Sequence, residues 1–207
     1  MGCCNSTEKE EEIDPLAQFH ESTARQCDIK PNYFVLEIGF YKGHGLQVVL
    51  ELLNGGPGRV MGTETSEKHL EEVTKKLHED IETGTLELDL CAPESLSYLH
   101  NMFDCVYNVN GFYYWNDIKT AACEIYRVLR PGCLFLTCIH DYKPVLTKKQ
   151  QKRQDDVPKV KNKGISIQDY ADILREQGFA NVRILEHRNI HSGFKYQTVQ
   201  AFARKRK

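Results

Sequence analysis

The run Phe34-Val35-Leu36-Glu37-Ile38, apolar except for Glu37, passes directly into Gly39-Phe40-Tyr41-Lys42-Gly43-His44-Gly45. No other junction constrains the fold as much. A strand that is apolar at consecutive positions is covered on both faces, which is the condition of a parallel sheet flanked by helices. A glycine-rich turn straight after such a strand lets a ligand approach backbone amides unshielded by Cβ atoms. The helix expected at about 46–53 would aim its N-terminal N–H groups at the same place.

The rest of the chain repeats this rhythm. Strand-length runs at 33–38, 59–64, 85–90, 103–109, 133–139, 182–187 and 196–203 alternate with helical periodicity at about 46–53, 67–82, 94–101, 117–129 and 167–177. Such alternation specifies an α/β fold with a doubly wound, mostly parallel, seven-stranded sheet. Asn54-Gly55-Gly56-Pro57-Gly58 and Arg130-Pro131-Gly132 mark breaks, and Ser166-Ile167-Gln168-Asp169 has the form of a capping box that opens the last helix. Asp14-Pro15 opens a short helix that runs to about Arg25.

A length of 207 residues suits one well-buried domain, and no internal repeat divides it. We expect residues 1–14, polar and rich in glutamate, to form a disordered tail, and 15–207 to form the single domain. With 41% hydrophobic and 27% charged residues the composition is that of a soluble globular protein, and a net charge of -2 speaks against general nucleic-acid binding. No apolar run approaches the roughly 18 residues of a membrane span, and no secretory segment is visible, so a cytoplasmic location is expected. Of the eight cysteines, Cys27, Cys91, Cys105, Cys123, Cys133 and Cys138 lie in apparent strands and helices with no Cys-x-x-Cys pair. They read as buried small hydrophobes in a reducing compartment, and no metal site is expected.

Met1-Gly2-Cys3-Cys4-Asn5-Ser6 fits the pattern for N-myristoylation of Gly2, with two cysteines able to take palmitate. Stable anchoring needs the second lipid, because one acyl chain binds membranes with an association constant on the order of 10⁴ M⁻¹. A second charged feature lies between the fifth strand and the last helix, where Lys143, Lys148, Lys149, Lys152, Arg153, Lys159, Lys161 and Lys163 face only Asp155 and Asp156. It reads as a solvated connection, with an acidic acceptor or an anionic membrane as sharper alternatives.

The order Glu37-x-Gly39-x-x-x-Gly43 resembles the first motif of class I S-adenosylmethionine-dependent methyltransferases. It departs from the dinucleotide fingerprint, which needs glycine where this chain has Tyr41 and His44. Three further stretches agree with the resemblance in order: Val60-Met61-Gly62-Thr63-Glu64, Leu86-Glu87-Leu88-Asp89-Leu90, and the helix with its Leu129-Arg130-Pro131-Gly132 turn after Phe103–Asn110. The likeness covers about 33–203 and is nearest to the small-molecule type 11 branch.

That family's Rossmann-like sheet has seven strands with the last one antiparallel. The resemblance implies S-adenosyl-L-methionine as cofactor and a small-molecule or lipid-like acceptor. Carried over by position, Glu37, Gly39 and Gly43 contact the methionine part, Glu64 the ribose hydroxyls, and Asp89 with Leu90 the adenine. Asn108 and Asn110 lie beside the methionine and the transferred methyl. Where the family usually has a second loop glycine this chain has Tyr41, which either narrows the approach or points outward over the cofactor.

Methyl transfer from a sulfonium is an in-line displacement with an activated donor, so a general base is needed only for a protonated acceptor. Candidates are His20, Tyr113, His140, Asp141 and Tyr142, and no catalytic residue is singled out. Two other readings stay open at this level. One is a membrane-tethered binding module that keeps the fold without the chemistry, and the other is a nicotinamide-dependent oxidoreductase, which the glycine spacing disfavours.

Overall fold

The computed structural model describes residues 15–140, 161–188 and 195–205. Helix α1 (Pro15–Gln26) is followed by β1 (Phe34–Ile38), α2 (His44–Leu53), β2 (Arg59–Glu64), α3 (Glu67–Lys76), α4 (His78–Glu82), β3 (Leu86–Leu90) and β4 (Phe103–Val109). Then come α5 (Ile118–Val128), β5 (Leu129–Ile139), α6 (Ile167–Glu176), β6 (Ala180–Arg188) and β7 (Lys195–Phe202). The seven strands form one sheet in the order β3-β2-β1-β4-β5-β7-β6. Pairs β1–β2, β1–β4, β2–β3 and β4–β5 are parallel, and β7 runs antiparallel to both β5 and β6. The doubly wound sheet with an antiparallel last strand is thus the observed architecture.

Both faces of the sheet are covered, and this is why β1 is apolar at successive positions. Val35 joins Leu46, Val49, Val60 and Val73 in one core layer under α2 and α3. Leu36 and Ile38 join Val106, Ile125, Phe135 and Leu174 in the other, under α5 and α6. Because alternate residues face opposite layers, Glu37 and Tyr107 share the first face, and Asn108 lies on the second.

Several boundaries differ from the sequence reading. The helix expected at 67–82 is two helices, with Leu77 at φ -116°, ψ 31° between them. The one expected at 94–101 does not form. Its backbone is claimed instead by α5: the Arg127 guanidinium donates to the carbonyls of Tyr98 (2.7 Å) and Leu96 (2.9 Å), and the Leu96 amide donates to Glu124 (3.1 Å). Helix α5 ends at Val128, and Arg130-Pro131-Gly132 forms an irregularity within β5 rather than a stop before it. There the register with β4 jumps from Phe103↔Leu129 to Cys105↔Leu134, and Gly132 takes φ 86°. The Ser166–Asp169 capping box closes as expected.

Cys27, Cys105 and Cys138 are buried, Cys91 and Cys133 half-buried, and all are free thiols. Cys123 corrects the expectation: it is exposed on the outer side of α5. No described helix is long and apolar enough to cross a membrane. The acylation pattern at Gly2, Cys3 and Cys4, the expected tail, Asp141, Tyr142 and most of the basic stretch lie outside the described residues.

The Arg127 contacts replace a helix's own hydrogen bonds, and its side chain is only 22% exposed. Arg127→Met should therefore lower unfolding free energy by about 2 to 3 kcal/mol, since hydrogen bonds to charged groups contribute roughly 1.5 to 3 kcal/mol each and water recovers part of the loss. Urea titration of the two proteins measures this, with an unchanged midpoint as the contrary result.

Candidate functional site

Strand order reverses between β1 and β4, so the connections leave in opposite directions and a crevice opens at the carboxyl ends of the strands. Gly39, Glu64, Asp89 and Asn110 stand at or just past the ends of β1, β2, β3 and β4.

Glu37 lies behind this crevice, fully buried. Its Oε1 accepts from Nδ1 of His20 at 2.7 Å and its Oε2 from the Tyr107 hydroxyl at 2.9 Å, so both oxygens are engaged by protein. Burial pushes the Glu37 carboxyl above its ordinary range, opposed by His20 and Tyr107. Burial and the neighbouring Glu37 push the Tyr107 phenol well up, which keeps it a donor. Gly45, in the first turn of α2, completes the arrangement. A Cβ there would lie 2.5 and 2.7 Å from the Glu37 oxygens and 2.8 Å from the Tyr107 oxygen. Glu37 acts as an anchor beneath the loop rather than as a group facing a ligand.

The loop above it has one open step. Gly39 takes φ 75° and a Cβ there would meet nothing within 4 Å. Gly43 also has φ 75°, but it caps α2 and its Cβ position is 3.0 Å from Val73, so its smallness serves packing against α3. Tyr41 is left-handed as well, at φ 51°, a conformation that costs a non-glycine residue roughly 1 to 2 kcal/mol. Its N–H donates to Oε2 of Glu64 at 3.2 Å. Its ring lies between His20 (centroids 6.1 Å, 23°) and His69 (5.2 Å, 84°).

Glu64 is therefore held in place before any ligand arrives. Oε1 accepts from the amides of Thr65 (2.8 Å) and Ser66 (3.3 Å), and His69 Nδ1 lies 3.7 Å from Oε2. Burial alone would raise its carboxyl pKa, but His69 and the amides of Thr65 and Tyr41 outweigh that and hold it below the usual range. Asp89 accepts from the Ser97 hydroxyl at 3.2 Å, and Leu90 beside it is 47% exposed, an apolar surface at a strand end.

Asn108 and Asn110 separate. Asn108 is fully buried and faces the α5 layer, where a Cβ on Gly111 would come within 3.1 Å of it. Asn110, at φ 53°, fastens β4 to the end of β5. Its Nδ2 donates to the His140 ring Nε2 (3.0 Å) and carbonyl (3.2 Å), and its Oδ1 accepts from the His140 amide (3.0 Å). The His140 ring stacks on Phe19 at 3.9 Å. Burial, helped by the nearby His20, pulls its pKa down to about 4. The ring is neutral, and the network assigns Nε2 as acceptor. Of the proposed bases, His20 is thus committed to Glu37 and His140 to Asn110.

The turn after β4 is held from a distance. The amides of Lys161 and Asn162 donate to the Tyr113 carbonyl (2.8 and 3.2 Å), and Nδ2 of Asn162 donates to the carbonyls of Phe112 (2.7 Å) and Trp115 (2.9 Å). Sequence reading missed His69, Tyr107, Gly45 and Asn162 as parts of the site. Tyr107 stands in β4 directly in register with Glu37, a pairing that only the sheet reveals.

Residues 36–137, about half the chain and the part running from β1 into β5, match the family model described as a methyltransferase domain. A chain of the complex between the Haloferax volcanii Trm112 methyltransferase activator and a methyltransferase superposes with a TM-score of 0.70 at 14% identity, covering 90% of this chain and 89% of that one. A SAM-dependent methyltransferase from Aquifex aeolicus gives 0.69 at 16%, covering 92% and 94%. Geranyl diphosphate methyltransferase in complex with SAM gives 0.67 at 12%, covering 90% and 85%. No curated protein matches. Residues 36–137 carry a methyltransferase domain, the chain has the fold of these solved methyltransferases, and the cofactor that the resemblance implies is S-adenosylmethionine. The residues present fit that group. Gly39 leaves open space, the Glu64 carboxylate offers only acceptors, and Thr63 Oγ1, buried in register with Asp89, finds no hydrogen-bond partner among the described residues.

Two outcomes test this geometry. In an ordinary helix, glycine to alanine gains up to about 1 kcal/mol; Gly45→Ala should instead lose about 1 to 3 kcal/mol through overpacking against Glu37, read as a lower melting temperature. His140 takes up its proton near pH 6.5 in the unfolded chain but only near 4 when folded, so its stabilising contribution is lost as pH falls through that window. Between pH 7 and 5 the parent should lose about 2 kcal/mol more than His140→Gln. Parallel urea titrations measure the difference, and equal losses would count against the buried neutral ring.

Proposed function

We propose that this chain transfers the methyl group of S-adenosylmethionine to a small or lipid-like acceptor. The observation that carries the reading is the strand-end carboxylate Glu64, fixed by three backbone amides beside the open step at Gly39. Both ribose partners of such a group are donors, and an acceptor-only side chain answers them. In this reading Glu64 takes the ribose, Asp89 and Leu90 the adenine, and the Gly39 step the methionine side. Glu37, Gly43, Asn108 and Asn110 act from behind by shaping the strand ends.

The bound cofactor supplies a methyl group already activated on sulfonium. The protein's own part is to orient it and to exclude water. A cleft of about 620 Å³, lined among others by Tyr113, His140, His187, Arg188, Lys195 and Tyr196, adjoins the crevice through His140 and Tyr113. His20 and His140 are committed to Glu37 and Asn110, so the reading gives neither of them the part of general base. Acylation of Gly2 with Cys3 or Cys4 belongs to the same proposal on its sequence pattern alone. Membrane partition lost in Gly2→Ala supports it, and equal partition of variant and parent overturns it.

Calorimetric titration with S-adenosylhomocysteine should give a dissociation constant on the order of micromolar, with stabilisation of about 2.7 kcal/mol at a hundredfold excess over that constant. Glu64→Gln should bind on the order of 10- to 100-fold more weakly while keeping its fold. Absence of any heat or thermal shift for the parent at millimolar ligand would overturn the cofactor site.

A further inference from the structure

Resting on the cofactor reading above, we propose that Tyr41 and His69 are positioning residues that set the affinity of Glu64 for the ribose hydroxyls. Tyr41 stands where the family pattern has glycine, in a left-handed conformation that favours glycine. A strained residue persists where the surroundings hold it, and here three contacts do. The Tyr41 amide donates to Oε2 of Glu64, its ring meets the edge of His69 at 5.2 Å, and its ring faces His20 at 6.1 Å. His69 in turn places Nδ1 3.7 Å from the same Oε2. One oxygen of the carboxylate is thus flanked by two groups from different elements, the loop and α3, and the tyrosine ring keeps them together.

The arrangement also connects the two acids. His20 holds Glu37 at 2.7 Å and His69 faces Glu64, with the Tyr41 ring between the two imidazoles. The ammonium of Lys42 lies 5.0 Å from the ring centroid. A glycine at 41 would keep the amide contact and relax the backbone. It would free His69 to turn away from Oε2, leaving the carboxylate less fixed when the hydroxyls arrive. The tyrosine is therefore not an obstruction in the loop but a clamp.

The test is calorimetric titration of the full chain with S-adenosylhomocysteine and with its 2′,3′-dideoxy analogue. Tyr41→Phe, which keeps the ring, should bind both within twofold of the parent. Tyr41→Gly and His69→Gln should each weaken S-adenosylhomocysteine roughly 5- to 20-fold while changing the 2′,3′-dideoxy analogue less than about threefold, an energy scale set by one hydrogen bond to a charged acceptor. Adding His69→Gln to Glu64→Gln should cost nothing more, because the group it positions is gone. Melting temperatures of the free variants at or above the parent's for Tyr41→Gly would show that the fold survives. Equal losses for both ligands, or additivity with Glu64→Gln, would reduce the pair to a structural role and overturn the proposal. So would undiminished binding by Tyr41→Gly. A parent that binds neither ligand would instead overturn the cofactor reading on which the proposal rests.

Discussion

The carboxylate of Glu37 is held where water does not reach, and four elements meet on it. Helix α1 contributes His20, β4 contributes Tyr107, β1 carries the acid itself, and α2 brings the bare Cα of Gly45 against it. Removing one partner from such a cluster strands a buried polar group, which costs more than the hydrogen bond itself contributes. The position of the loop above therefore depends on this cluster. Gly39 can stay open and Glu64 can be reached by the Tyr41 amide because the strand end beneath them cannot shift independently. In that sense the carboxylate of the first motif works through the backbone it steadies.

Phe19 and His20 extend this control across the switch point. Adjacent on α1, they take hold of opposite sides of it: His20 grips the end of β1 through Glu37, and Phe19 stacks on His140 at the end of β5. His140 is joined to β4 by Asn110. One turn of one helix thus spans the carboxyl ends of three strands, and the two imidazoles it touches serve architecture before chemistry.

Where the signal was one-dimensional, the sequence carried it. Consecutive apolar positions revealed a sheet covered on both faces, and turn residues separated the strands; the Ser166–Asp169 cap was spelled out by spacing. The acids at strand ends were visible because position along a strand is a linear quantity. What failed to show was whatever depended on partners from afar. The backbone of 94–101 has the composition of a helix, yet Arg127 and Glu124 claim its polar groups, and nothing local announces a competitor thirty residues on. Glu37, Asn108 and Glu64 look alike as strand-end polar residues. Only the pleat and the overlying Gly45 and Gly111 separate the buried ones from the one that faces the crevice. His69 was hidden because its significance lies in the distance to Glu64, which the start of α3 decides.

The segment between β5 and α6 is pinned at both ends to the same place. It leaves from His140, whose backbone and ring are tied to Asn110, and it returns at Lys161 and Asn162, whose amides and side chain clasp the turn at 112–115. Both anchor points therefore hold the end of β5 and the turn at 112–115 on one edge of the crevice. Asn110 and Asn162 thus act as paired fasteners, so loosening either one would free the turn after β4 on one side while the other still held it.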